Sequence, residues 1–185
     1  MNVTRDEAQE SLVTIQQVMV QTRRAVASSG AYVMIIWGVV WFFGFLASQL
    51  IHSILLGWIW LILDVLGGLG TWMVGRKMGR RVRTPFGSRL GLFWLALVFY
   101  TALWIWIAWP LDPMRTMLLS ITALMFGYVV MGLWLGTAVA WVGLAVTALA
   151  LLGFYLLPAY FALWMALLGG GTMIGSGLYM SRFWR

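Results

Sequence analysis

The sequence predicts an all-α polytopic membrane protein, with six transmembrane helices arranged as three hairpins over residues 31–185 and an amphipathic helix over residues 1–30. Three observations predict it. Of 185 residues, 63% are hydrophobic and 9% charged, whereas a soluble domain carries roughly a quarter charged residues. The apolar residues fall in runs that match the about 20 residues a helix needs to cross a bilayer core. Basic residues gather in one loop between positions 76 and 89, the pattern of charge retained on the cytoplasmic side.

The first thirty residues read as a cytoplasmic or interfacial helix. Acids precede the apolar positions and no short apolar core leads to a small-residue cleavage site, so they do not read as a signal peptide. Thr4 with Glu7 makes a capping box, Asp6, Glu7 and Glu10 suit the positive end of a helix, and Arg23 with Arg24 suits the negative end. Ala8, Leu12, Ile15, Met19, Thr22 and Val26 recur at spacings of 4, 3, 4, 3 and 4, which draws one stripe. Leu12, Ile15, Met19 and Val26 are its docking residues, against the leaflet, the underside of the bundle or a coiled-coil partner. Ser28-Ser29-Gly30 then breaks the helix.

Spans follow at about 31–51 and 55–75, separated by the polar patch Gln49, His52 and Ser53. The third, 90–109, stops at Pro110-Leu111-Asp112-Pro113, where two prolines lack backbone donors and an acid is costly in lipid. Asp112 and Arg115 are expected to pair in that turn. Spans 117–135 and 138–157 flank a tight Gly136-Thr137 turn, and Pro158 opens the sixth, 159–180.

Topology follows from charge. The loop after the second span carries Arg76, Lys77, Arg80, Arg81, Arg83 and Arg89 with no acid, and the last residues include Arg182 and Arg185, while the opposite loops hold only His52, Asp112 and Arg115. Both termini are therefore expected on the cytoplasmic side. The net charge of +7 reports orientation and contact with anionic lipid rather than nucleic-acid binding. Thirteen tryptophans test the register, because Trp and Tyr concentrate at interfaces. Trp58, Trp104, Trp106, Trp109 and Trp164 fall at outer ends, and Trp72, Trp94, Trp134, Trp141 and Trp184 at inner ends. Trp37, Trp41 and Trp60 lie deeper than a belt requires.

The even spans share Trp72-Met73-Val74-Gly75, Leu124-Met125-Phe126-Gly127 and Thr172-Met173-Ile174-Gly175, at offsets of 52 and 48, which suggests a threefold hairpin repeat. They also carry most of the glycines, of which Gly68, Gly75, Gly127, Gly132, Gly171 and Gly175 are candidate packing positions, since glycine lets helix axes approach where hydrophobic drive is absent. Even helices are thus expected at the centre. Gly169-Gly170-Gly171 is a candidate hinge. Over residues 90–185, with an odd span closing on Trp109-Pro110, an even span closing on Gly127 and Gly132, and the same plan around Pro158 and Gly175, the chain resembles the bacterial acid-resistance membrane proteins of the HdeD type. The N-terminal amphipathic helix and the long basic loop depart from that pattern. The resemblance implies a six-helix architecture and a stress-related role, and carries over no site.

Asp64 is the one acid inside a span, near the middle of the second. An ionised carboxylate there costs at least about 3 kcal/mol, and no predicted span holds a Lys or Arg to pair with it, so the neutral acid is expected. It is either a proton or solute site, with Thr172 and Tyr100 as first candidates, or a packing hydrogen bond to a hydroxyl on Tyr100, Thr101, Ser120, Thr122, Thr147 or Thr172. Gln49 and His52 are interfacial caps or the outer mouth of a path to it. With no cysteine, a single histidine, no nucleophile beside a base, no phosphate-binding loop and no metal-ligand spacing, neither enzyme activity nor cofactor nor metal is expected. Ser176 has no base, since His52 lies at the opposite membrane face.

The expected function is that of a small integral protein of a bacterial-type cytoplasmic (inner) membrane. It has a structural, accessory or stress-related role, and it homo-oligomerises or docks on a membrane-protein partner. The alternatives are a small proton-linked permease using Asp64 and a solute-binding membrane subunit of the vitamin-capturing kind.

Overall fold

The computed structural model describes residue 13 and residues 30–51, 53–79 and 85–183. Among them no strand occurs, and six helices are long and apolar enough to cross a membrane. They are α1 (Gly30–Leu50), α2 (Leu55–Gly79), α3 (Pro85–Ile107), α4 (Pro113–Leu135), α5 (Thr137–Leu156) and a composite sixth span, Pro158–Arg182. That last span begins with a 3-10 turn, Pro158–Tyr160, and continues as α6 (Phe161–Trp164), a π-helical segment (Met165–Gly170) and α7 (Gly171–Phe183).

Local chemistry sets the boundaries. α3 ends at Ile107, before the cis Trp109–Pro110 bond. α4 starts one turn earlier than hydropathy alone suggests, because Asp112 caps it. The Asp112 carboxylate accepts from the Arg115 backbone N–H at 2.9 Å, and Pro113 occupies the first turn, where no donor is needed. Asp112 also pairs with the Arg115 guanidinium at 3.0 Å, as expected for this turn. Gly136, at φ +135°, is the whole break between α4 and α5. That backbone conformation is open to glycine and strained for a residue with a Cβ.

The core lies between α1, α4, α5 and the sixth span, where Ile121, Met125, Val146, Met165 and Met173 are fully buried. α2 and α3 flank it: 6% and 11% of their spans are buried, against 33–44% for the other four. The expectation that even helices occupy the centre therefore holds for α4 and the sixth span and fails for α2. The same asymmetry separates the three Met-x-Gly sites, since Met125 and Met173 are buried while Met73 is 57% exposed.

Two seams of close approach account for the centre. Where α4 meets α5, the Gly132 Cα faces Ala140, and a Cβ at Gly143 would lie 2.8 Å from the Met125 carbonyl oxygen. Where α1 meets the sixth span, a Cβ at Gly38 would lie 2.9 Å from the Ile174 nitrogen and 3.0 Å from the Gly170 oxygen. One at Gly177 would lie 2.7 Å from the Ala31 oxygen. Backbones this close gain dispersion and weak Cα–H···O contacts, the forces that remain when lipid is as apolar as the side chains.

Candidate functional site

Asp64 lies on α2, about 3 Å along the axis from the midpoint of the Leu55–Lys77 span. Its residue is exposed on the outer surface of the bundle, and among the described residues no hydrogen bond or ion pair reaches it. The hydroxyls considered as partners are engaged elsewhere. Thr101 donates to the Leu97 carbonyl at 2.7 Å, Ser120 to Thr116 at 2.8 Å, Thr122 to Leu118 at 2.8 Å and Thr147 to Gly143 at 2.8 Å. Each bond closes on the same helix one turn back, the local alternative open to Ser and Thr in a helix. Tyr100 is exposed, with ring contacts to Phe99 and Trp104, and Thr172 is half-buried in α7. The structure does not bring Asp64 together with either.

Gln49 has a definite structural task. Its amide donates to the Ala159 carbonyl at 3.1 Å and accepts from the Leu163 N–H at 3.2 Å. The first turn of a helix leaves backbone donors unpaired, so this α1 side chain caps the start of α6 from outside and ties α1 to the sixth span. His52, its companion in the candidate outer mouth, lies outside the described residues.

Of the candidate packing glycines, Gly127 faces the Leu97 and Trp94 side chains and Gly132 faces Ala140. Gly68, Gly75, Gly171 and Gly175 have nothing within 4 Å of where a Cβ would stand. The tight contacts of these helices fall nearby instead: Gly67 and Gly70 meet Val40 and Ile36 of α1, and Gly170 and Gly177 meet α1 backbone. A difference of one to three residues turns a position by about 60–160° around a helix, enough to exchange a helix neighbour for lipid.

Among the basic residues, Arg76, Lys77 and Arg89 are exposed, and the Arg76 guanidinium stands 4.4 Å over the Trp72 ring. Arg80, Arg81 and Arg83 lie outside the described residues, as do Leu12, Ile15, Met19 and Val26. Of the N-terminal segment only Val13 is described, helical and exposed.

Sequence reasoning missed the polar work of the deep tryptophans. Trp37 Nε1 donates to Thr71 at 3.1 Å and Trp60 Nε1 to Ser48 at 3.0 Å, both side-chain bonds between α1 and α2 among the described residues. Trp41 packs edge-on to Phe45 in the core. Trp164 Nε1 reaches the Leu149 carbonyl of α5 at 2.7 Å while its ring covers Gly153. The signal was present: three of these rings lie too deep for an interfacial belt, and a buried indole N–H requires an acceptor.

Gly169, Gly170 and Gly171 do coincide with a departure from α geometry, since the first two close the π-helical segment. An open groove of about 280 Å³ runs between α5 and α7, lined by Ala138, Val142, Gly175, Ser176, Tyr179 and Met180. Its walls are apolar apart from the Ser176 and Tyr179 hydroxyls. Among the described residues no three acidic or histidine side chains cluster as metal ligands would. Comparison of the chain with protein-family models, with curated proteins and with solved structures finds no match in any of the three.

Proposed function

We propose that this chain is a non-catalytic, multi-pass protein of a bacterial-type cytoplasmic membrane that works by assembling, with itself or with another membrane protein. The observation that carries this reading is the placement of Asp64. Intramembrane acids that move protons or solutes face a bundle interior or a water-filled cavity, whereas Asp64 lies on the outside of the least buried span. An acid on the outer face serves contact with a neighbour. In this reading the spans pair as three hairpins with both termini cytoplasmic, the basic residues from 76 to 89, at the end of α2, the start of α3 and between them, hold anionic lipid, and the N-terminal stripe docks. The plan of residues 90–185 supports a stress-related setting.

Native mass spectrometry of the protein released from nanodiscs tests the reading. Integer multiples of 20.8 kDa or a stoichiometric partner are expected. A lone monomer, together with proton-driven solute flux in liposomes that Asp64→Asn abolishes, would replace it with the permease reading. One observation favours that alternative: the π-helical Met165–Gly170 segment, a distortion that recurs at functional sites. Reporter fusions at residue 112 and at the C-terminus should give opposite compartments, and the same compartment for both would refute the topology.

A further inference from the structure

We propose that the groove between α5 and α7 binds one anionic glycerophospholipid, with an acyl chain lying in the groove, an ester carbonyl on Ser176 and the phosphate on Arg182. The site goes beyond the assembly reading and does not depend on it. Ala138 and Val142 of α5 and Gly175, Ser176, Tyr179 and Met180 of α7 line the groove, whose volume is about 280 Å³. At Gly175 nothing lies within 4 Å of a Cβ position, so the α7 wall is open there. The volume is about nine times the share of the liquid that one water takes, which is room for part of an acyl chain. One turn of a helix with its side chains, about 10 Å across and 5.4 Å high, already exceeds it. Both walls belong to spans apolar and long enough to cross a membrane, so the molecules that reach the groove from the side are lipids.

Charge complementarity selects the class of lipid. Arg182 closes the sixth span and follows Gly175 by seven residues, which places it about 20° around α7 from Gly175 and about 10 Å further along the axis. The Cα–Cβ bond of a helical residue leans toward the helix N-terminus, and from Arg182 that is the direction of the groove. Arg182 is exposed, and no acid pairs with it, since the one ion pair among the described residues joins Asp112 and Arg115. A guanidinium is always charged and takes a phosphate through two parallel N–H bonds. A zwitterionic headgroup brings its own cation to that phosphate, so an anionic headgroup is the better complement. Ser176 adds a second polar contact. Ser48, Thr101, Ser120, Thr122 and Thr147 each donate to a carbonyl one turn back, whereas half-buried Ser176 makes no hydrogen bond among the described residues. It lies about 9 Å deeper than Arg182 along the axis, on the side of the phosphate where a glycerophospholipid carries its ester carbonyls. Those carbonyls accept, and a serine hydroxyl can donate. Beyond Ser176 the groove offers only apolar wall, the environment an acyl chain requires.

Photolabelling tests the site. Phosphatidylglycerol and phosphatidylcholine, each carrying the same diazirine-bearing acyl chain, are added in equal trace amounts to the full chain in phosphatidylcholine nanodiscs, and labelled residues are located by peptide mass spectrometry. Val142 reports the groove, and the exposed α2 residues Leu61 and Ile62 report the bare lipid-facing surface. Phosphatidylglycerol should label Val142 about 5-fold more than phosphatidylcholine does, the value of one arginine near a charged headgroup, and the two lipids should label Leu61 and Ile62 alike. Arg182→Gln should remove that preference. Ser176→Ala should lower Val142 labelling by both lipids about 3-fold, as expected for one hydrogen bond within a membrane. Gly175→Leu, which fills the groove, should abolish it, and Ala138→Leu fills the groove from the opposite wall should Gly175→Leu fail to give a monodisperse chromatographic profile. Equal labelling of Val142 by the two lipids, a preference that survives Arg182→Gln, or indifference to Ser176→Ala would overturn the inference. So would an unlabelled Val142 beside labelled Leu61 and Ile62, which would mean that protein covers the groove. A wild-type monomer in native mass spectrometry would remove the assembly reading and leave this site standing.

Discussion

α2 and the sixth span are the two least apolar of the six, and both are rich in glycine, yet they occupy opposite environments. Of the sixth span 44% is buried, of α2 6%. In the sixth span Gly170 and Gly177 lie against the backbone of α1. In α2, Gly67 and Gly70 touch α1 side chains, and Gly57, Gly68 and Gly75 face outward. The difference teaches that glycine content alone does not say where a transmembrane helix sits. What matters is whether the glycines share a face with the neighbouring backbone. It also gives the two helices different places, one within the packed centre and the other at the edge of the bundle.

The comparison is sharpest if the same substitution is made on each side. Gly38→Ala sets a methyl against the Ile174 nitrogen and the Gly170 oxygen, atoms that move only if a helix moves. It should lower stability by about 2 kcal/mol, read as an earlier midpoint in detergent–denaturant titration. A smaller loss, about 1 kcal/mol, is expected for Gln49→Leu, which leaves the Leu163 N–H and the Ala159 carbonyl without their partner. Trp60→Phe removes the bond to Ser48 at a cost of about 0.6 kcal/mol. Its effect should be confined to α2, seen as faster hydrogen exchange there and unchanged exchange in α4 and α5. The smallest effect belongs to Gly68→Ala, where the added methyl meets open space. Folding stability should stay level or rise by up to about 1 kcal/mol from helix propensity. If Gly68→Ala destabilised the fold as much as Gly38→Ala, α2 would be a core helix and the contrast would collapse.

Much of the architecture was legible beforehand. The number of spans, the turn at Asp112–Arg115 and the glycine break at 136 all follow from local chemistry: apolar length, a capping acid before proline, and a backbone conformation suited to glycine. Of the candidate site, the lack of a cation beside Asp64 was foreseeable, because no span contains one, but the lack of a hydroxyl partner among the described residues was not, since both readings of Asp64 gave it a hydroxyl neighbour. Nor was its exposure on the outer flank. Gln49 was placed at the right end of the right helix, but its role as a cap for α6 depends on residues 110 and 114 positions further along the chain, a distance no local pattern spans. Trp37 and Trp60 lie deeper than the belts require while Trp164 matches an outer end, and the acceptors of all three, Thr71, Ser48 and the Leu149 carbonyl, become visible only once the helices are side by side.

What the sequence by itself determined is the count and the approximate ends of the spans, since a hydrocarbon slab of given thickness reads each segment one at a time through its length and apolarity. What only the tertiary structure decided is the neighbourhood of each helix: that α1, α4, α5 and the sixth span form the centre, that α2 lies at the edge, and that Gly67 meets a helix while Gly68 does not. In water, an apolar face must be buried in protein and so predicts its own location. In a bilayer, lipid tails satisfy it equally well, and position is settled by close backbone fit and a few interhelical hydrogen bonds, which exist only between elements brought together.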